Sequence, residues 1–342
     1  MNFHHPSPLY STDHEHDACG VGFIANIRGE RSYDILDRAV QGLKNLAHRG
    51  AIDADAVTGD GAGVLTQIPY EILESFLEEK GKKLYDRSDL GVGMIFLPRD
   101  DEYAQNHAKE IFEDAVKREG INFLAWRDVP VDPKCLGKKA ELTRPKIVQA
   151  LVAKPSKMNA EDYERALFLA MRSAMRQAGE KNLRDFYVVS VSHRTVTYKG
   201  LLNAPQVRQF FTDLRSEDFK TALAIFHQRF ATNTLPDWTK AQPYRMLAHN
   251  GEINTIRGNR NLMRAREFSD KHGVWGDRYK DLSPMIQPDM SDSTSLDNTL
   301  QLLTVGGRSS LHGISMMIPS AWENDEHMSE EIRAFYRCHS TM

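Results

Sequence analysis

The sequence predicts a layered α+β domain. Short apolar runs rich in β-branched and aromatic residues alternate with longer amphipathic stretches, the pattern of sheets covered by helices. One or two helical stretches separate these runs, without the regular β–α alternation that a doubly wound parallel sheet demands. The chain has 342 residues, 41% of them hydrophobic, enough for one large core without help from disulfides or metals.

Taken in chain order, residues 20–27 read as the first strand, an apolar run that follows a polar leader, and 33–47 as the first amphipathic helix. A strand over 63–68 then leads through Pro69 into a helix over 70–82. The uninterrupted apolar run 90–97 reads as a buried strand and the charged, periodic stretch 102–119 as a helix. Strands follow over 122–126 and 147–152. The long helix 160–179 precedes a strand pair over 186–192 and 196–199. Residues 205–215 open with Pro and read as a helix. Strands over 221–230 and 246–250 complete the sheets. Helices over 255–271 and 293–303 have capping residues nearby in Asn254 and Ser295. The closing stretch 331–342 is helix-like and lacks a polar tail, so the chain reads as cut there. There is no long linker, repeat or low-complexity tract, so residues 19–342 read as one domain and 1–18 as a leader.

Several functional classes are excluded by composition. Lys and Arg number 44 against 47 Asp and Glu, a net charge of -3 with no basic excess to hold nucleic acid. The longest apolar stretches, 186–191 and 222–226, fall far short of the ~20 residues that span a bilayer. The cysteines are Cys19, Cys135 and Cys338, too few and too far apart for a disulfide framework or a zinc knuckle. Reduced thiols and a cytoplasmic location are expected. The leader has neither the basic start nor the apolar centre of a secretory signal.

Two tempting motifs reduce to ordinary structure. Gly59-Asp60-Gly61-Ala62-Gly63 lacks the spacing of a dinucleotide or Walker loop and reads as a tight turn into a strand. His4, His5, His14 and His16, with Asp13, Glu15 and Asp17, lack a framework to hold a metal and read as solvated leader.

Cys19 stands where the leader meets the first strand, between the small residues Ala18 and Gly20. Cleavage before it would put an α-amine of pKa ~7.7–8.0 on the same residue as a thiol of ~8.5, uniting general base and nucleophile. Downstream, Arg229 closes a strand where its guanidinium could grip a carboxylate. Asn250 and Gly251 offer a side-chain N–H and an unshielded backbone N–H, the ingredients of an oxyanion hole. Asp292 opens a helix, where it could meet an ammonium group or merely cap the helix. Arg49 ends the first helix. Each has an ordinary reading alone, as a surface ion pair, a turn, a cap or a charged helix end.

In order along the chain these motifs are Cys-Gly-Val-Gly-Phe, His-Arg-Gly-Ala, Gly-Asp-Gly-Ala-Gly, His-Gln-Arg-Phe-Ala-Thr-Asn, His-Asn-Gly-Glu and Ser-Asp-Ser. The set resembles the class II glutamine amidotransferases and, within them, the amidotransferase domains of glutamate synthase large chains. The stretch 310–324 and the pair Phe335-Tyr336 favour the glutamate synthase branch. The resemblance implies a four-layer αββα sandwich of the N-terminal-nucleophile hydrolase type, two mainly antiparallel sheets between helical layers. It implies that residues 1–18 are a propeptide and Cys19 the nucleophile. Asn250 and Gly251 would be the oxyanion donors, Arg229 and Thr232 the carboxylate grip, Asp292 the ammonium partner and Arg49 a support for the mature N-terminus. Related amidotransferases carry His where this chain has Asn233. Asp60 and Gly61 would support the same site.

The implied reaction is hydrolysis of glutamine to glutamate and ammonia through a thioester, with ammonia passed to a synthase domain or subunit that converts 2-oxoglutarate to glutamate. No cofactor is expected in this chain. The resemblance implies FMN and an iron–sulfur cluster in the synthase part; three cysteines, one of them the nucleophile, cannot ligate a cubane cluster here. Two other readings stay open at this point: a degenerate module that binds glutamine without cleaving it, and a papain-like protease using His227 or His249 as base.

Overall fold

The computed structural model describes residues 20–229, 235–253, 255–269, 273–287 and 289–339. The described strands are β1 (Val21–Ala25), β2 (Ala62–Gln67), β3 (Leu90–Leu97), β4 (Asn122–Asp128), β5 (Lys146–Ala153), β6 (Tyr187–Ser192), β7 (Thr195–Gly200) and β8 (Leu223–Gln228). They form two four-stranded sheets, ordered β1-β8-β2-β7 and β4-β5-β3-β6, and every pairing is antiparallel. The two-residue turn between β6 and β7 carries the chain from the edge of the second sheet to the edge of the first.

Strand β3 is buried along its whole length, and the two-residue period of a strand divides its side chains between two cores. Val92, Met94 and Phe96 enter the core shared with the first sheet, while Ile95 and Leu97 enter the core under the helices. Strand β5 divides the same way, Ile147 and Leu151 against Val148, Ala150 and Val152. This is why both strands read as continuous apolar runs: each face has its own core.

Helix α1 (Tyr33–Asn45) buries Ile35, Leu36, Ala39, Val40 and Leu43, one stripe of a 3.6-residue period, against β1 and β8. Its close approach depends on Gly42 and, from the strand, Gly22. A Cβ at either would lie 2.8 or 2.5 Å from the Phe226 ring. Helices α2 (Tyr70–Glu79), α3 (Glu102–Arg118), α4 (Lys138–Leu142), α5 (Ala160–Glu180) and α6 (Ala204–Phe210) follow. Helices α3 and α5 pack together on the outer face of the second sheet, and α6 joins α1 on the first. The expected α+β sandwich is thus present as two antiparallel sheets flanked by helices. A buried polar network ties the sheets together: Arg127 grips Asp213 with two 2.8 Å bonds, and Tyr198 donates to Asp213 at 3.0 Å. Gln149 completes it, donating to Tyr198 at 3.1 Å and accepting from Arg127 at 2.9 Å, so the buried charges are paired and hydrogen-bonded.

After β8 the described α-helices are α7 (Ile256–Ser269), α8 (Asp292–Val305), α9 (Ser310–Met317) and α10 (Glu330–His339). His312 of α9 meets Phe335 of α10 with ring centres 5.5 Å apart. No helix among the described residues is long and apolar enough to cross a membrane.

Some expected elements are corrected. Residues 246–250 form no strand: Met246 N–H donates to Asp297 at 2.8 Å and His249 N–H to Gln242 at 2.8 Å, while Leu247 C=O accepts from Tyr244 N–H at 2.9 Å inside the same loop rather than from a neighbouring strand. The helix expected over 205–215 stops at Phe210 and continues as a separate 3-10 turn, Thr212–Arg215. The first helix likewise passes into a 3-10 turn, Ala47–Arg49. Ser291, not Ser295, caps α8, its hydroxyl accepting from Thr294 N–H at 3.1 Å. Asn254 lies outside the described residues. The short α4 and α9 escaped sequence reading, since five and eight residues scarcely span a helical period pattern.

Candidate active site

The site is assembled around the end of β8. Strand pairing places His227 opposite Val21 on one side and Gly63 on the other, so the central strand delivers residues 227–229 beside the start of β1. Gly20 C=O accepts from Gln228 N–H at 2.7 Å, which fixes the residue that directly follows Cys19 against Gln228. A Cβ on Gly20 would stand 2.2 Å from the Gln228 carbonyl oxygen, so only glycine fits there. Gly50 meets the other face of the same residue: a Cβ there would lie 2.1 Å from Gln228 Nε2. Arg49 is thereby held next to this junction by its chain neighbour.

The glycine-rich turn closes on the same point. Arg229 N–H donates to Gly61 C=O at 3.1 Å, Asp60 N–H to Ala51 C=O at 3.2 Å, and Gln228 Nε2 to Asp60 Oδ1 at 3.3 Å. Gly61 has φ 129°, which bears out the reading of 59–63 as a glycine-dependent turn into a strand. Arg229 has φ 111°. A side-chain-bearing residue held there stores about 1–3 kcal/mol of backbone strain, which the surrounding bonds must maintain.

The segment bearing Asn250 and Gly251 is held from two sides. His227 is 1% exposed, and burial lowers its pKa to about 4, so the ring is neutral at ordinary pH. Its Nε2 lies 3.1 Å from His249 C=O. A carbonyl only accepts, so the proton sits on Nε2. His249 Nδ1 in turn contacts Ser293 Oγ at 2.7 Å. Beyond Gly251, Ile253 N–H donates to Asp292 Oδ2 at 3.0 Å. Asp292 is buried at the first turn of α8, and its Oδ1 accepts from Ser293 N–H at 2.6 Å. Helix capping, the ordinary reading of Asp292, belongs instead to Ser291.

Of the residues singled out in the sequence, Arg49, Asp60, Gly61 and Arg229 therefore gather at one end of the first sheet. Asn250, Gly251 and Asp292 are linked to it through His227. Cys19, Thr232, Asn233 and residues 1–18 lie outside the described residues. Sequence reading missed Gln242 and Ser293, which touch the backbone or ring of His249. Ser293 sits inside the quoted Ser-Asp-Ser motif, whereas Gln242 carries no local signal beyond preceding a proline. The cavity of about 340 Å³ between α7, α8 and α9 is lined by Ile253, Met263, Leu296, Leu302 and Met316 among others, and by none of the candidate residues. Among the described residues no group of three His, Cys, Asp or Glu side chains is placed to hold a metal ion.

Comparison with known proteins shows the family. The family model "Glutamine amidotransferases class-II" matches residues 19–342. The chain is 38% identical over 334 residues to the glutamate synthase [NADPH] large chain of Azospirillum brasilense, covering 97% of this chain and 22% of that protein. It is 39% identical over 335 residues to the corresponding large chain of Bacillus subtilis, again 22% of that protein's length and 98% of this chain. Against the glutamate synthase [NADH] of Saccharomyces cerevisiae it is 40% identical over 338 residues, 96% of this chain and 16% of the yeast protein. The chain thus spans about a fifth of the length of the curated relatives it matches. Its match begins at the residue singled out as nucleophile, and the chain belongs to the class II glutamine amidotransferases.

Proposed function

We propose that this chain hydrolyses free glutamine to glutamate and ammonia, with Cys19 as nucleophile once residues 1–18 have been removed. The thiolate attacks the side-chain amide carbon, and the carbonyl π pair moves onto oxygen. Asn250 Nδ2–H and Gly251 N–H meet that oxyanion. When it collapses, the C–N bond breaks, and the α-amine of Cys19 relays the thiol proton to the departing nitrogen, which leaves as ammonia. Water then cleaves the thioester, releasing glutamate and the free thiol. Arg229 and Thr232 bind the α-carboxylate and Asp292 the α-ammonium, so a free amino acid is read at both ends. Arg49 supports the mature N-terminus.

The observation that carries this reading is the meeting at the end of β8 of the residue after Cys19, of Arg229, and of the segment joining Asn250 and Gly251 to Asp292. The protease alternative loses one of its two bases, since the only free lone pair of His227, on Nδ1, is buried without a partner, and burial lowers the ring's pKa to about 4, too weak a base to activate a thiol.

The similarity to glutamate synthases supports a synthase domain or subunit as the acceptor of ammonia, within a whole enzyme that is an oxidoreductase. FMN and the iron–sulfur cluster belong to that synthase part. Three cysteines, one reserved as nucleophile, leave two thiols here, short of the four that a cubane cluster takes. The cytoplasm suits the free thiols of Cys135 and Cys338.

Mass spectrometry of the purified chain after treatment with a glutamine-analogue alkylator tests the reading. A single adduct on an N-terminal Cys19 is expected, and Cys19→Ser should nearly abolish both the adduct and glutamate release while leaving the melting temperature intact. An unprocessed, fully active chain, or full activity in Cys19→Ser, would overturn it.

A further inference from the structure

We propose that Gln242 is a positioning residue for the Asn250–Gly251 pair, its side-chain amide holding the peptide units on both sides of His249. The inference rests on the reading of Asn250 and Gly251 as oxyanion donors and adds a residue that the reaction itself does not name.

Gln242 is 1% exposed, and its amide makes two bonds to one residue: Oε1 accepts from His249 N–H at 2.8 Å, and Nε2 donates to His249 C=O at 2.9 Å. The side chain thus occupies the place a neighbouring strand would take, which is why 246–250 reads as a strand in sequence and forms none. A peptide unit is planar, so fixing its carbonyl oxygen fixes the N–H of the next residue. The bond to His249 N–H pins the unit between 248 and 249, and the bond to His249 C=O pins the unit that ends in Asn250 N–H. The His227 Nε2–H at 3.1 Å occupies a second lone pair of that oxygen, so two donors hold the plane from different directions. Asn250 is left with its own two backbone angles as the only freedom before Gly251 N–H.

Room for this clamp is provided by the sheet. A Cβ on Gly63 of β2 would stand 2.8 Å from the Gln242 carbonyl oxygen, so glycine there lets the Gln242 backbone close onto the strand. The grip does not extend to Arg229 or Asp292, neither of which is among the hydrogen-bond partners of the Gln242 amide. Loss of the clamp should therefore affect turnover and spare substrate affinity. Preorganised donors accelerate a reaction only while they are already aimed at the point where charge develops.

The test is Gln242→Met, which keeps the volume and removes both bonds, with Gln242→Glu as a second variant that keeps the acceptor for His249 N–H alone. In Met, kcat per alkylator-titrated nucleophile should fall at least about tenfold, toward the ~100-fold cost of losing an oxyanion donor outright. KM should stay within about threefold. In Glu, kcat should fall between that of Met and wild type. Hydrogen exchange over 248–252 should quicken at least about tenfold in Met while the rest of the domain is unchanged. Wild-type kcat in Met, or unchanged exchange in that segment, would overturn the proposal. Should Met fail to fold, wild-type kcat in Glu would do the same. A wild-type chain that releases no glutamate would defeat the functional reading instead, and exchange over 248–252 would still decide whether Gln242 holds the segment.

Discussion

Asp292 Oδ2 accepts the Ile253 backbone N–H at 3.0 Å, so the carboxylate proposed to bind substrate also anchors the chain just beyond Asn250 and Gly251. A carboxylate offers about four lone-pair positions. Ile253 N–H and Ser293 N–H take two, and the Ser293 hydroxyl lies 3.3 Å from Oδ1. Acceptor capacity remains for an ammonium group.

Asp292→Ala should therefore combine two effects. Loss of the charge partner raises the Michaelis constant for glutamine by the equivalent of roughly 2–5 kcal/mol. A buried Ser293 N–H and a half-buried Ile253 N–H left without an acceptor lower stability by about 1–3 kcal/mol each at most. Steady-state kinetics with a urea titration separates the two, and an unchanged Michaelis constant with lowered stability would reduce Asp292 to an anchor.

Arg229 can be dissected through its backbone. Its φ of 111° suits glycine, so Arg229→Gly should relieve strain while removing the guanidinium. The expected outcome is a Michaelis constant raised at least about 30-fold, the equivalent of losing a 2 kcal/mol charge-assisted contact, together with stability equal to or up to about 1 kcal/mol above wild type. Arg229→Ala should show the same kinetic loss without the gain in stability. If the Gly variant is the less stable of the two, the strain reading is wrong.

Much of this was legible in the sequence because the relevant signals are local. The apolar run of β3 appears at its observed bounds, and Gly61 announces a turn by its residue type. Asp292 was equally visible, yet its ordinary and functional readings could be separated only in three dimensions, where Ser291 takes the capping role. Gln242 was illegible. A glutamine that completes another segment's backbone bonding leaves no periodicity, and its partner is seven residues away across a reversal of the chain. The same contact helps account for the false strand at 246–250, whose apolar residues do match strand composition while His249 bonds a side chain and Leu247 C=O a residue of its own loop.

His227 should make the protein acid-sensitive within a defined window. In the unfolded chain the ring takes up a proton near pH 6.5, and in the folded protein only near 4, because burial penalises the charged form. Between these values the unfolded state binds the extra proton, so stability present above pH 6.5 is lost as pH falls toward 4, by about 3 kcal/mol for this group. Calorimetric midpoints for wild type and His227→Asn should diverge above pH 6.5 and converge toward pH 4. Parallel curves would show that the ring is not the titrating group.

Lys199 gives a second pH signature, in the opposite half of the scale. Its side chain is buried beneath the loop that leads to Gln242, with Nζ donating to Thr239 C=O at 2.7 Å and lying 4.8 Å from the centre of the Tyr244 ring. Burial lowers its pKa to about 7, with Arg245 pushing the same way and Asp297 and Asp237 opposing. The unfolded chain holds this proton up to about pH 10.4. Between 7 and 10.4 the unfolded state therefore binds more protons, and the lysine's contribution to stability, complete only above that window, declines as pH falls and levels out below 7. Lys199→Met removes the titration while keeping the stem that fills the space. Denaturant titrations at pH 6 and pH 9.5 should find the variant gaining on wild type by several kcal/mol at the lower pH relative to the higher one. Comparing the two proteins at each pH cancels the contribution of the buried tyrosines, which titrate alike in both. A difference in stability that is the same at pH 6 and pH 9.5 would mean that Lys199 is charged throughout and that its carbonyl and ring contacts compensate fully for burial.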